Sequence, residues 1–195
     1  PHGTALSPDV QSFLEGGDAP LVFTLGSSVV MIEKEFWCHS LDAVLRLGAR
    51  AVFLVGPALD RVQALVSALD HAARERILVV ERAPHSLLFP RGSAIVHQCG
   101  IGTTAQSLRS GRPVLAVPYA HDQPDNAWRA EHLGVARTVR VSRYRGRHVA
   151  AMLHELTSNP SYSAAAARVA KEVRAERGLA GAVDALERAF ALQRS

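Results

Sequence analysis

Three short polar segments in this chain each follow an apolar run, and their residue types suit an anionic, hydroxyl-rich ligand. In Gly26-Ser27-Ser28, the small residues allow backbone N–H groups to approach an anion, and the hydroxyls can donate hydrogen bonds. In residues 97–104, two glycines precede Thr103 and Thr104 at a predicted helix start. Because a helix N-terminus offers unpaired N–H groups and the positive end of the helix dipole, this segment predicts an anion site.

The third segment runs from Pro118 to Pro124 and contains Asp122 beside Gln123. A carboxylate accepts hydrogen bonds and a carboxamide both accepts and donates them, so the pair suits a ligand with several hydroxyls. Taken singly, each of the three segments is also consistent with a plain turn or a helix cap. Neither common nucleotide motif is present, because no Gly-Lys-Ser/Thr follows the glycines and only Gly100 and Gly102 fit GxGxxG.

The three polar segments are positioned by the apolar runs that precede them, and these runs alternate along the chain with helical stretches. The runs are short, continuously apolar and rich in Val, Ile and Leu, which is typical of a parallel sheet covered on both faces. We therefore predict an α/β fold, a Rossmann-like doubly wound parallel sheet of about six strands with C-terminal helices. In such folds, ligands bind at the carboxyl ends of the strands, where the strand order reverses. The candidate strands are residues 21–25, 51–55, 77–81, 94–97, 114–117 and 135–141.

Capping and breaking residues bound the predicted helices. Ser7-Pro8-Asp9 combines a capping serine with a proline at the first helical position, and Gly16-Gly17 ends that helix. The other candidate helices are residues 30–47, 58–73, a short turn at 86–89, 103–110, 125–133, and an Ala-rich region from 147 that breaks near 160 and 178.

Composition narrows the class of protein further. The 195 residues, 48% hydrophobic and 21% charged, indicate a folded chain, which we interpret as one domain over residues 1–195. No run approaches the roughly 18 apolar residues of a membrane span and no signal peptide is visible, so we expect a cytoplasmic protein without a transmembrane segment. Cys38 and Cys99 form neither a disulfide framework nor a zinc pattern. Because the first residue is Pro1, we expect a piece of a longer protein.

The chain has a formal net charge of +4, and its arginines are concentrated in one segment. We interpret this cluster first as a solvated loop and helix start, and second as a phosphate- or nucleic-acid-binding patch. Because no set of aromatic residues is interleaved with the arginines as a stacking platform, we expect no nucleic-acid partner. The cluster consists of Arg137, Arg140, Arg143, Arg145 and Arg147.

The stretch from Arg82 to Asn126 reads RAPHSLLFPRGSAIVHQCGIGTTAQSLRSGRPVLAVPYAHDQPDN. It resembles the donor-binding signature of family 1 glycosyltransferases, the nucleotide-sugar-dependent enzymes of the GT-B fold. It is most similar to the bacterial and sterol-type branch, with its APH…LFP…VHHGGAGTT…GxP…VP…DQ pattern. The resemblance extends more loosely across the chain, including TLGSS after the first strand. It implies that the chain is the C-terminal, donor-binding half of such an enzyme, without the N-terminal acceptor domain.

The resemblance also implies roles for individual residues. It implies that Gln98 stands where the family usually has a diphosphate-contacting His, and that Gln106 replaces the Glu that binds ribose hydroxyls. The nucleotide-binding residues it implies are Gly26, Ser27, Ser28, Arg82, Ala83, Pro84, His85 and Gln106. The diphosphate-binding residues it implies are His97, Gln98, Gly100, Ile101, Gly102, Thr103 and Thr104. The sugar-binding residues it implies are Asp122 and Gln123.

The mechanism implied by the resemblance is an inverting transfer. A His of the acceptor domain deprotonates the acceptor hydroxyl, so no catalytic residue is expected in this chain. Helix N-terminal N–H groups stabilise the leaving diphosphate, and neither a metal nor another cofactor is expected. The co-substrate is a UDP- or dTDP-sugar. We expect the isolated chain to bind this donor without turnover, and the final helix, about residues 180–193, to pack on the acceptor domain.

Three other functions remain as alternatives. The first is a UDP-amino-sugar epimerase or transferase of the same fold, against which the Asp122-Gln123 pair argues. The second is a non-catalytic nucleotide-sugar-binding module, which the Gln98 and Gln106 replacements leave open. The third is a fragment of a Rossmann oxidoreductase, which the missing glycine fingerprint after the first strand disfavours.

Overall fold

A computed structural model describes residues 3–26, 34–176 and 178–192 of the chain. Short strands alternate with helices along this part, and Ser27 and Ser28 of the first predicted loop lie outside it. The strands are β1 (Leu21–Thr24), β2 (Ala51–Leu54), β3 (Ile77–Val80), β4 (Ala94–His97), β5 (Val114–Ala116) and β6 (Ala136–Thr138). The helices are α1 (Pro8–Glu15), α2 (Lys34–Leu47), α3 (Leu59–Ser67), α4 (His71–Arg74), α5 (His85–Leu88), α6 (Ile101–Ser110), α7 (Gln123–His132), α8 (Gly146–Ser158), α9 (Pro160–Ala175) and α10 (Gly178–Leu192).

The strands form one sheet in the order β3-β2-β1-β4-β5-β6, and all neighbouring strands are parallel. The sheet grows outward from β1 in one direction and from β4 in the other. Strand β1 pairs with both β2 and β4, with Leu21 opposite Ala51 on one side and Ala94 on the other. The predicted α/β fold with a six-stranded parallel sheet is confirmed. Its switch point, where loops diverge and leave a crevice, lies between β1 and β4.

Both faces of the sheet are buried, as continuously apolar strands require. On one face, Phe23 and Phe53 stack with ring centroids 4.8 Å apart, and Trp37 of α2 and Leu153 of α8 pack in the same cluster. On the other face, Val22 packs in a cluster with residues of α1 and α5. Because successive side chains of a strand point to opposite faces, β1, β2 and β4 each contribute to both clusters, while Val114 and Ala116 of β5 pack in a third cluster with α7 and α9. The loops at the carboxyl ends of these buried strands therefore start from fixed positions.

Several helix and strand boundaries differ from the sequence predictions. The single helix predicted over residues 58–73 is wrong: the chain forms a short 3₁₀ turn, then α3, then α4. Asp70 causes the break, because its side chain accepts a hydrogen bond from the Ala73 N–H at 2.9 Å and caps a new helix. Strand β6 is shorter than predicted, since a 3₁₀ turn occupies Val141–Arg143. Helices α6 and α7 begin two residues earlier than predicted, at Ile101 and Gln123.

The arginine cluster extends from Arg137 in β6, along the loop after this strand, to the start of α8. Arg137 forms an ion pair with Glu155, and Arg145 Nη1 lies 3.7 Å from Glu35 Oε2. The other three arginines of the cluster are exposed. Among residues 3–26, 34–176 and 178–192, no helix is long and apolar enough to cross a membrane.

Candidate functional site

A cleft of about 650 Å³ opens at the carboxyl edge of the sheet, where the strand order reverses. The loop after β1 contributes Gly26, and the loop after β4 contributes Gln98 and Gly100. The cleft therefore lies where parallel sheets of this topology bind ligands. Its lining consists of Thr24, Leu25, Gly26, Leu54, Gly56, Pro57, Glu81, Arg82, Ala83, His85, Gln98, Gly100, Ile101, Gly102 and Thr103.

The N-terminus of α6 forms one wall of the cleft. Gly100 is the N-cap residue, and the first intrahelical bond runs from the Thr104 N–H to the Gly100 carbonyl at 3.0 Å. The N–H groups of Ile101, Gly102 and Thr103 therefore have no acceptor within the helix. Three such donors, together with the positive end of the helix dipole, make this wall suitable for an anion.

The two threonines of this helix have different surroundings. Thr103 lines the cleft and is half-buried, so its hydroxyl can reach a ligand there. Thr104 is buried, and its hydroxyl donates to the Gly100 carbonyl at 3.1 Å. The Thr104 hydroxyl is therefore bound at the helix start, whereas Thr103 lines the cleft.

The residue between Gln98 and Gly100 has an unusual backbone conformation. Cys99 has a φ of 65°, in the left-handed region that residues with a Cβ seldom adopt. Two side chains hold it there: the Cys99 N–H donates to His97 Nδ1 at 3.0 Å, and its carbonyl accepts from Asn126 Nδ2 at 2.9 Å. Such conformations persist where surrounding contacts fix them, and they occur often at binding sites.

The two histidines near the cleft are uncharged at neutral pH. His97 is fully buried, and burial, with a smaller contribution from nearby His85, lowers its pKa to about 3. His85 stacks on Phe89 with ring centroids 4.4 Å apart, and burial lowers its pKa to about 4. Because His97 Nδ1 accepts a hydrogen bond, its proton is on Nε2, which is buried without a partner among the described residues.

Gln98 is the buried polar side chain of the cleft. Only 4% of the residue is exposed, and its Oε1 has no hydrogen-bond partner among the described residues. The carboxamide lies against Gly26 and Gly100, and a Cβ at position 26 would collide with its Nε2. A side chain at position 26 would therefore displace the Gln98 carboxamide from its present position. A buried polar group without a partner is costly, which indicates that a ligand or a water completes its hydrogen bonds.

The cleft contains little free charge. Arg82 Nε lies 3.2 Å from Glu81 Oε1, so the cation among the described lining residues is paired with the acid beside it. His85 is neutral and Gln98 carries no charge. An anion in this cleft is thus attracted mainly by backbone N–H groups of α6.

The predicted sugar-binding pair lies beside the cleft and outside its lining. Gln123 is buried, and its Oε1 accepts from the Tyr119 and Ala120 N–H groups at 2.8 and 3.3 Å. Asp122 is exposed, and its Oδ2 accepts from Asn126 Nδ2 at 2.7 Å. The carboxamide oxygen of Gln123 is therefore held by the loop after β5, and its amino group is the part that can donate to a ligand.

The structure brings most, but not all, of the predicted site residues to the cleft. The predicted residues that line it are Gly26, Arg82, Ala83, His85, Gln98, Gly100, Ile101, Gly102 and Thr103. The described ones that do not line it are Pro84, His97, Thr104, Gln106, Asp122 and Gln123. Gln106 lines a separate depression of about 90 Å³ with Ser86 and Arg174, among others.

Sequence reasoning did not assign roles to four residues of this region. Gly56, Pro57 and Glu81 line the cleft. The first two directly follow the second predicted strand, and Glu81 is the last residue of the third, so their positions in the sequence pointed to the cleft. Asn126 connects the loops after β4 and β5 through its hydrogen bonds. Its spacing of four residues from Asp122, which is visible in the sequence, places the two side chains on one helix face. No cluster of three potential metal ligands occurs among the described residues.

A second groove, of about 680 Å³, lies beside the amino end of β6, between the end of α7 and α9. It is on the opposite edge of the sheet from the α6 N-terminus. Its acid Glu131 already accepts from the Thr138 N–H at 2.9 Å. The first turn of α9 also lines the groove, but its Ser161 N–H already donates to the Asn159 side chain at 3.0 Å.

Comparison with known proteins identifies the family of this chain. The model of the erythromycin biosynthesis protein CIII-like C-terminal domain matches residues 58–188. The chain belongs to this family. The resemblance to family 1 glycosyltransferases, seen in residues 82–126, is thereby confirmed.

Relatives of this CIII-like C-terminal domain include bacterial and sterol-modifying enzymes. O-mycaminosyltylonolide 6-deoxyallosyltransferase of Streptomyces fradiae is 32% identical over 182 residues, which are 93% of this chain and 40% of that protein. Sterol 3-beta-glucosyltransferase of Yarrowia lipolytica is 36% identical over 124 residues, 62% of this chain and 8% of that protein. The chain thus spans less than half the length of these relatives.

Solved structures share the fold. The glycosyltransferase of kitacinnamycin has a TM-score of 0.76 at 25% identity, over 89% of this CIII-like domain and 43% of that chain. The glycosyltransferase VinC in complex with dTDP has a TM-score of 0.72 at 25% identity, over 89% of this chain and 41% of that chain.

The two threonines of α6 provide a matched pair of variants. We expect Thr103→Val to weaken the binding of inorganic pyrophosphate about tenfold, since a hydrogen bond to a charged group contributes about 1.5–3 kcal/mol. Thr104→Val should leave this affinity within about twofold but lower the free energy of unfolding by about 1 kcal/mol, because it removes the bond to the Gly100 carbonyl. Isothermal titration calorimetry and urea denaturation measure the two effects. The reverse pattern would contradict the assignment of the two hydroxyls.

The buried histidines make stability depend on pH. Because the folded-state pKa values of His97 and His85 are lowered, the unfolded chain binds more protons, and stability falls as pH drops below about 6.5. Each histidine contributes a slope of up to about 1.4 kcal/mol per pH unit between there and its folded pKa. In urea denaturation from pH 7.5 to 5, His97→Asn, which keeps an acceptor for the Cys99 N–H, should show a shallower slope. An unchanged slope would show that His97 is protonated in the folded state.

Proposed function

We propose that this chain is the nucleotide-sugar-binding part of an inverting glycosyltransferase, which transfers a sugar from a UDP- or dTDP-sugar to an acceptor hydroxyl. The observation that carries the proposal is the α6 N-terminus, whose free N–H groups open into a cleft of about 650 Å³ beside an orphaned Gln98. A diphosphate is the anion that such a wall binds well. The family to which the chain belongs and the named activities of its relatives support the same reaction class.

The nucleoside would occupy the side of the cleft formed by the loops after β2 and β3. Arg82 has a planar guanidinium that can stack on a pyrimidine ring, in the place where the resemblance implies nucleobase contact. Glu81 holds this guanidinium at 3.2 Å. Gly56 and Pro57 form a compact turn opposite, and His85 offers a neutral imidazole. The dTDP bound to VinC, a protein of the same fold, supports a pyrimidine nucleotide.

The diphosphate would lie against the N–H groups of Ile101, Gly102 and Thr103. During transfer, the bond between the anomeric carbon and the diphosphate oxygen breaks, and negative charge grows on that oxygen. Helix donors that are already oriented stabilise this charge without reorganisation, which favours the transition state over the bound donor. Gln98 adds an uncharged donor and acceptor at the floor of the cleft. The proposed reaction needs no metal or other cofactor for this step.

The sugar would extend from the diphosphate toward the loop after β5. Asp122 has one carboxylate oxygen held by Asn126, so its other oxygen can accept from a sugar hydroxyl. Gln123 can donate from its amino group while its oxygen stays bound to backbone. The general base and the acceptor-binding surface would come from an N-terminal acceptor domain. We therefore propose that this chain binds the donor but does not turn it over by itself.

A ligand panel on the purified chain tests this function. We expect UDP, dTDP or their glucose derivatives to raise the melting temperature, since a ligand at 100 times its Kd stabilises the fold by about 2.7 kcal/mol. ADP and NAD, which carry the same diphosphate on a purine nucleoside, serve as matched controls and should give a much smaller shift. Equal shifts for pyrimidine and purine ligands would contradict the nucleoside assignment. No shift with any ligand at millimolar concentration would contradict donor binding.

A further inference from the structure

Asn126 connects two loops that the proposed function assigns to different parts of the donor. It lies in the first turn of α7 and is half-buried. Its Nδ2 group donates one hydrogen bond to the Cys99 carbonyl at 2.9 Å and another to Asp122 Oδ2 at 2.7 Å. Both hydrogens of the group are therefore used, one on the loop after β4 and one on the loop after β5.

We propose that Asn126 is a positioning residue that couples the diphosphate-binding loop to the sugar-binding carboxylate. One side chain thereby fixes the orientation of both groups. This inference rests on the proposed function and adds a residue to its binding site. Asn126 acts through Cys99 and Asp122 and does not itself touch the donor.

The first half of the coupling passes through one peptide group. The carbonyl of Cys99 and the N–H of Gly100 belong to the same planar unit, so a bond that fixes the carbonyl also fixes the direction of the N–H. Gly100 is the N-cap of α6, and its orientation decides where the free N–H groups of that helix point. On the other side of Cys99, His97 holds its N–H. Without the Asn126 bond, the strained φ of 65° would be held from one side only.

The second half of the coupling concerns the Asp122 carboxylate. Asp122 is the N-cap of α7, a position where Asp usually accepts a hydrogen bond from a backbone N–H of the first turn. Here its side chain makes no such capping bond and accepts from Asn126 instead. The carboxylate is thus held by a side chain of the first turn of α7, and the other hydrogen bond of that side chain reaches the loop after β4. One oxygen is held and the other remains as an acceptor, which is the state that a hydroxyl-binding carboxylate needs.

Binding measurements on single variants test the coupling. With UDP and UDP-glucose, or dTDP and dTDP-glucose, Asn126→Ala should weaken the nucleoside diphosphate about fivefold and the sugar derivative more, about 25-fold, because it releases both loops. Asp122→Ala should weaken chiefly the sugar derivative. Asp125→Ala is the matched control: it is the neighbouring residue, pairs with exposed Arg129, and should change neither affinity by more than about twofold.

The Asn126→Asp variant distinguishes a loss of loop positioning from a loss of folding. Its carboxylate cannot donate to the Cys99 carbonyl and repels Asp122, so at pH 8 UDP-glucose should bind at least about tenfold more weakly than to the wild type. As the pH falls toward 5, a proton shared by the two carboxyl groups restores a donor, and the affinity should partly recover. The ligand itself carries no group that titrates in this range. The other nearby charged groups, His121, Asp125 with Arg129, and Glu131, are present in the wild type, whose profile is the baseline.

The outcomes distinguish the inference from the function on which it rests. If the wild type binds a pyrimidine donor and Asn126→Ala binds both ligands within about twofold of it, the coupling is wrong and the function stands. If the wild type binds none of them, the proposed function fails and the coupling fails with it. If Asn126→Ala does not fold, the pH profile of Asn126→Asp decides. Recovery of affinity on acidification supports the coupling, and a profile parallel to the wild type overturns it.

Discussion

The left-handed backbone of Cys99 is the constraint on which the cleft depends. It turns the chain sharply from the buried strand β4 into α6, so that the first N–H groups of the helix face the switch point between β1 and β4. This backbone conformation is unfavourable in free energy for a residue with a Cβ. The neutral imidazole of His97 and the carboxamide of Asn126 offset the cost with one hydrogen bond each. Because His97 has to accept a hydrogen bond, its burial and lowered pKa serve the same purpose.

The distribution of charge in the cleft bears on the proposed binding of a diphosphate. Arg82 is paired with Glu81, and the two histidines are neutral, so the described residues of the cleft provide almost no free positive charge. The N–H groups of α6 compensate for this, because they are oriented before the ligand arrives and lie in a partly enclosed space. A neutral, buried Gln98 fits the same proposal, in which hydrogen bonds rather than ion pairs would hold the anion.

The sequence predicted the fold well because the strands are buried on both faces. Continuous apolar runs such as those at β1 and β2 have few other interpretations, and the motif between residues 82 and 126 identified the family. The hydrogen bonds that side chains form near helix starts were harder to predict. The Asp70 cap divided a predicted helix, and the Asn126 bonds drew Asp122 away from its expected cap. The roles of His97 and Asn126 depend on contacts across the loops after β4 and β5, which periodicity along the chain does not encode. The predicted ligand contacts of the individual residues remain predictions.

The most direct test of the central claim is an amide-resolved ¹H–¹⁵N NMR titration of the chain with UDP and dTDP. If the α6 N-terminus binds the diphosphate, the largest shifts will be those of the Ile101, Gly102 and Thr103 N–H groups, with smaller ones at Gly26 and Arg82. If these amides stay unchanged while the groove beside β6, around Glu131 and Arg168, shifts instead, the account of this cleft is wrong.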